Sequence, residues 1–154
     1  MVLSSYNGFL LSAKAIGGID AFEGDFEACA CTLAAEGDFP ARRFYEMLKK
    51  DYGLKSTWNS YTLVGLGQAL FTLRPVERTV EKVGPDRLTG ADIRETLLSS
   101  SFSSDELFGI LPRVTITKDT PFPVTGTTAT ITTVKGGKVI NLTTDASIPT
   151  IHKW

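Results

Sequence analysis

The strongest constraint on this chain is a change of character around the serine-rich run Ser99 to Ser104. Before it, apolar residues recur at helical spacing; beyond it, Thr, Val and Ile dominate, near Val114 to Thr117 and from Thr128 to Thr143. In the second stretch, Ile131-Thr132-Thr133-Val134-Lys135 and Lys138-Val139-Ile140-Asn141-Leu142 flank Gly136-Gly137. Two glycines supply the positive φ values of a tight turn, so this segment predicts a β-hairpin. With its mix of helices and strands the chain reads as an α/β protein.

Within the first half, Met1 to Ser5 reads as a short strand entering a polar turn, and Phe9 to Ile16 as a helix stopped by Gly17-Gly18. Pro40 suits a first helical turn, with Asp38 as a cap, and Phe44, Met47, Leu48 and Tyr52 form an apolar stripe that ends at Gly53. Glu46 and Lys50 are spaced as a surface pair. Tyr61 to Leu73 is apolar on more than one face, as a buried helix would be, and Pro75 should break or restart it. Thr89 with Asp92 three residues on predicts a further capped helix whose inward face is Ile93, Leu97 and Leu98.

Asp25 to Leu33 reads as a strand in which Phe26, Ala28 and Ala30 alternate with Glu27, Cys29 and Cys31. Glu23, Asp25 and Glu27 would share one face, where they could hold a hard cation or work as paired carboxylates. An exposed strand edge that discourages wrong pairing explains the same acids more simply. Cys29 and Cys31 are the only cysteines, too few for a disulfide framework or a four-ligand zinc site. They read as small thiols packed like apolar groups, with metal or redox chemistry as the alternative.

At 154 residues and 42% apolar content the chain can bury the core of one domain. A formal net charge of -1 leaves no basic footprint for nucleic acid. No run approaches the roughly 20 apolar residues of a membrane span, and the start lacks the pattern of a signal peptide. His152, the sole histidine, rules out a two-histidine metal site and makes a histidine-based triad improbable at a loose C-terminus. There is no Gly-x-Gly-x-x-Gly run and no phosphate-binding Gly-Lys-Ser or Gly-Lys-Thr loop. The inventory points to no catalytic residues, no metal and no cofactor, and favours binding over catalysis.

The order of elements, Ala41 to Gly53 with its Lys-Lys-Asp-Tyr-Gly ending, the Tyr61-led helix, the Asp92 to Leu98 helix, the Phe-Gly connection within Phe102 to Ile116 and the closing hairpin, resembles the C-terminal part of a solute-binding protein. The type is that of the branched-chain amino acid ABC transporters, with a periplasmic-binding-protein-like fold of type I. Such proteins resemble a clam of two α/β lobes joined by crossover strands, holding an amino acid or similar small polar solute for delivery to a membrane permease. The resemblance implies one partial solute-binding domain over 1–154: second lobe at 1–28, crossover at 29–38, first-lobe helices at 39–110, and a crossover and second-lobe hairpin at 111–154. It also implies a periplasmic or extracellular, cell-envelope-associated location.

By the same likeness, Ser4, Ser5 and Tyr6 correspond to a cleft-facing position that helps hold the solute's amino group, although the family's common acidic residue has no evident counterpart. The competing reading is a plain N-terminal turn. The family's first half is not matched, so part of the cleft would come from elsewhere and exposed edges would favour self-association. A ligand-sensing regulatory domain of the same fold, or a self-contained interaction domain, are the alternatives.

Overall fold

A computed structural model describes residues 2–4, 8–120 and 127–148, the first three through their backbone. Among the described residues, six strands and four α-helices follow one another as β1 (Val2–Ser4), α1 (Phe9–Ile16), β2 (Phe26–Cys29), α2 (Pro40–Tyr52), α3 (Ser60–Val83), α4 (Gly90–Ser99), β3 (Ser101–Phe102), β4 (Val114–Thr115), β5 (Thr128–Lys135) and β6 (Lys138–Ser147). The fold is α/β, with helices packed on a sheet and a C-terminal hairpin.

The main sheet has the order β1-β2-β5-β6, with β1 and β2 parallel and the remaining pairs antiparallel. A second, two-stranded sheet pairs β3 with β4, and Ser101 and Thr115 share a hydroxyl contact of 2.8 Å across it. The hairpin turn is built as its glycines require, Gly136 at φ +57° and Gly137 at φ +72°.

Burial is split into two apolar clusters. One gathers Ala34, Ala41, Leu63, Leu70, Phe102, Leu107, Ile110 and Val114 under the helical layer. The other gathers Phe9, Phe22, Ala35, Val134 and Val139 between α1 and the sheet. Ala34 and Ala35, adjacent in sequence, belong to different clusters, so the chain passes from one core to the other between them. Thr32 anchors that passage: its N–H donates to the Ile110 carbonyl at 2.9 Å, and its hydroxyl donates to the Gly109 carbonyl.

Several local expectations are corrected. Strand β2 ends at Cys29 rather than Leu33, because the backbone bends at Ala30 and the following residues cross to the helical layer. It is also an interior strand, between β1 and β5, so the acids do not guard an edge. In α2, Phe39 takes the cap position while Asp38 pairs with Arg43 at 2.9 Å, and Glu46 pairs with Arg42 at 2.6 Å rather than with Lys50. The buried face of α2 runs through Ala41 and Tyr45, leaving Met47 and Tyr52 exposed.

Helix α3 is not broken at Pro75 but runs through it for 24 residues. Tertiary contacts outweigh the lost hydrogen bond: Pro75 is buried, Arg74 Nε donates to the Glu106 carbonyl at 2.9 Å, and Arg78 pairs with the Glu106 carboxylate. Its apolar residues are buried on one side, through Leu63, Gly67 and Leu70, while Tyr61 and Leu73 face outward. The predicted cap of α4 is present: Thr89 and Asp92 satisfy one another's backbone N–H groups reciprocally.

Candidate functional site: the carboxyl ends of the parallel strands

Strands β1 and β2 run parallel with Ser4 opposite Ala28, so both finish at the same end of the sheet. In open α/β sheets that end is where ligands bind, because connecting loops and helix N-termini converge there. Of the three predicted site residues, Ser4 closes β1, whereas Ser5 and Tyr6 lie outside the described residues. Gly8 then caps α1 and gives its carbonyl to the N–H groups of Leu11 and Ser12, both at 3.0 Å.

Beside that turn sits Glu27, only 3% exposed. Its Oε2 accepts the Phe9 N–H at 3.2 Å, satisfying one of the free donors in the first turn of α1. Ser60 Oγ stands 3.5 Å from its Oε1, at the outer limit of a hydrogen bond. Gly8 makes room for this arrangement: a Cβ there would lie 2.5 Å from Ser60 Oγ and 2.6 Å from Glu27 Oε1. Burial pushes the Glu27 carboxyl above its ordinary value near 4.5, against the opposing pull of the Phe9 N–H and the Ser60 hydroxyl.

The polar row continues across the sheet. Thr132 is the register partner of Glu27 on β5, and Asn141 is the partner of Thr132 on β6. Thr132 Oγ1 and Asn141 Oδ1 are buried with no hydrogen-bond partner among the described residues. A carboxylate, a hydroxyl and an amide are thereby aligned on three neighbouring strands, in a setting where unsatisfied polar groups are costly.

Ser60 belongs to the helical layer, and its position is fixed locally. Asn59 caps α3 by accepting the Thr62 N–H at 3.0 Å, while Thr62 Oγ1 donates to the Thr57 carbonyl at 2.7 Å. Trp58, just before the cap, donates its ring N–H to the Ala35 carbonyl at 3.0 Å and packs against Phe39 and Tyr45. The Arg42 guanidinium lies 4.9 Å from the Trp58 ring centre, within cation–π range.

A groove of about 400 Å³ lies between this aromatic group and the hairpin, with Trp58 and Arg42 from one side and Lys138 from the other. Lys138 Nζ is 3.5 Å from Oε2 of Glu36, which also lines the groove. The arrangement can seat a small polar group against an aromatic wall between paired charges.

The acids that share an alternating pattern do not converge. Glu23 Oε1 accepts the Gly136 N–H at 3.1 Å, whereas Glu27 Oε2 accepts the Phe9 N–H. No group of three or more His, Cys, Asp or Glu among the described residues could hold a metal ion. His152 lies outside the described residues. The reading of Cys29 and Cys31 as packed free thiols is corrected: they form a disulfide with each other.

Sequence reasoning weighs Glu27 only together with Glu23 and Asp25 and prefers a strand-edge role for all three, although one signal sets Glu27 apart. It is the acid set directly between apolar Phe26 and Ala28 in a strand, and a second strand precedes it by the length of one helical crossover.

No protein-family profile matches the sequence, and no curated protein matches it. The fold, however, is similar to two solved transporter structures. One is described as a branched chain amino acid ABC transporter from Thermus thermophilus with bound valine; the TM-score is 0.69 at 21% identity, over 95% of this chain and 39% of that one. The other is described as an ABC transporter permease from the Pseudomonas fluorescens group; the TM-score is 0.66 at 16% identity, over 94% of this chain and 37% of that one. The chain therefore shares the fold of part of these two solved chains, and it spans about two fifths of their length.

Proposed function

We propose that this chain forms part of the solute-binding component of an ABC transporter, one that holds an amino acid or similar small polar solute and delivers it to a membrane permease. The observation that carries the reading is the match of nearly the whole chain, 95%, to a transporter protein whose description includes bound valine. The role is binding rather than catalysis, and its setting is extracytoplasmic. No helix among the described residues is long and apolar enough to cross a membrane.

In this reading residues 1–28 belong to a second lobe, 29–38 cross over, 39–110 form first-lobe helices, and 111–154 cross back and close with the hairpin. The division of burial into two clusters, exchanged between Ala34 and Ala35, supports a hinge at the crossover. In the same reading the solute's amino group is held by Ser4, Ser5 and Tyr6, of which Ser4 closes β1. The remaining contacts come from a part of the binding protein that this chain does not supply.

The test is calorimetric titration of the whole gene product with L-valine, L-leucine and a panel of other amino acids. Binding of one of them is expected, with Ser5→Ala and Tyr6→Ala each weakening it about tenfold, the cost of a hydrogen bond to a charged group. No binding across the panel overturns the transport reading. Binding at unchanged affinity in both variants overturns the site assignment alone.

A further inference from the structure

We propose that Cys29 and Cys31 form a reversible thiol–disulfide exchange site at the passage between the two cores, with a small thiol of the glutathione class, or a dithiol, as its redox partner. The two sulfurs are joined across a sequence separation of two residues. A disulfide that closes so short a loop removes the least freedom from the unfolded chain, so it contributes least as a staple. Strand β2 is already held by β1 and β5 on its two sides, and the next residues are anchored by the Thr32 hydrogen bonds to Gly109 and Ile110. The covalent link is thus redundant for holding the segment, and another use accounts for it better.

Access supports the same use. Both cysteines are half-buried and Ala30 between them is exposed. Cys31 lines two surface clefts at once. One, of about 360 Å³, is bordered by Phe39, Leu111, Pro112, Arg113, Thr128 and Thr130; the other, of about 270 Å³, is walled by apolar residues of α3. An incoming thiolate can reach Cys31 through either cleft.

The exchange balances without any further reactant. The thiolate of the partner attacks Cys31 Sγ, forms a mixed disulfide, and expels Cys29 as a thiolate, which takes up a proton. A second partner thiolate attacks the partner's own sulfur in the mixed disulfide and releases Cys31, which is protonated in turn. Two electrons pass to the cysteine pair, and the partner leaves as its disulfide. Reoxidation is the same sequence reversed. Only the connection from β2 into the helical layer is loosened by reduction.

The test equilibrates the folded whole gene product in glutathione buffers of graded ratio, traps thiols by alkylation and reads the mass of the peptide holding both cysteines. Expected are a two-electron transition between the two states, reached much faster than the protein unfolds, and a trapped glutathione adduct in Cys29→Ser. Resistance of the bond to reduction until denaturant is added overturns the proposal, as does a peptide that stays in the dithiol form at every ratio. The wild-type measurement decides the matter even if Cys29→Ser fails to fold.

Discussion

The Glu27 carboxylate on β2 accepts the backbone N–H of Phe9, the first residue of α1, at 3.2 Å. The contact joins a strand to the helix that follows its parallel neighbour, and Ser60 brings the helical layer to the same carboxylate. Burial raises the carboxyl's pKa in the folded state above its ordinary value near 4.5, so the folded protein holds this proton more tightly than the unfolded chain. The resulting stability is complete below pH 4.5 and is lost as pH rises through the raised value. Glu27→Gln keeps an oxygen for the Phe9 N–H and removes the charge, so it is expected to flatten this part of the pH dependence and to equal or exceed the wild type at pH 7. Glu27→Ala, which strands two polar groups, is expected to cost about 2–3 kcal/mol. Urea unfolding at pH 5 and pH 7 checks this; a Gln variant that follows the wild-type pH profile would sink the assignment.

Gly8 is required for space rather than for conformation. Its φ of -51° and ψ of 157° are open to any residue, but a Cβ would stand 2.5 Å from Ser60 Oγ and 2.6 Å from Glu27 Oε1. Both neighbours are buried and cannot swing into solvent. Gly8→Ala is therefore expected to destabilise by about 1–3 kcal/mol, the cost of overpacking. Adding Ser60→Ala, which removes one of the two clashing atoms, should recover part of the loss. A double-mutant cycle in urea measures the coupling, and strict additivity would contradict the steric account.

The features legible in the sequence are those decided within a few residues: the Gly136-Gly137 turn, the Thr89–Asp92 cap and Pro40 in a first helical turn. Pro75 was misread because its effect on α3 is decided by Arg74 and Arg78 reaching Glu106, some thirty residues away in sequence. Of the candidate site, Ser4 closes β1 while Ser5 and Tyr6 lie outside the described residues, and Glu27 gains its meaning only when α1 and α3 bring Phe9 and Ser60 to it. The pairing of Cys29 with Cys31 was hidden by the expectation that β2 stays extended through Leu33, which would point the two side chains the same way without bending the backbone to join them.

Glu106 titrates in the opposite sense. The Ser103 N–H, foremost, and the Arg78 guanidinium hold its carboxyl down to about 2. Its folded pKa is depressed, so the stability it contributes is present above its ordinary value near 4.5 and is lost as pH falls from there through about 2. With the side chain 38% exposed, solvent screening limits the contribution to about 1 kcal/mol or less. Glu106→Gln should lose that amount at pH 7 and become less sensitive to acid between pH 4.5 and 3. Urea midpoints at those values test it, and parallel acid losses in variant and wild type would refute it.

Gly136 carries the remaining prediction, because the hairpin depends on it for conformation. At φ +57° it adopts the left-handed region, nothing lies within 4 Å of where a Cβ would point, and its N–H donates to Glu23 Oε1 at 3.1 Å. Space is free, so the cost of substitution is set by backbone preference alone. Asparagine tolerates this region and Gly136→Asn should cost less than about 1 kcal/mol, whereas the β-branched side chain of Gly136→Val should cost about 2 kcal/mol. Chemical denaturation of both variants gives the comparison, with amide exchange of β5 and β6 showing whether the loss is local to the hairpin. Equal costs for Asn and Val would mean that the turn relaxes to another conformation, and that the pairing of Val134 with Val139 rather than the glycine holds the register.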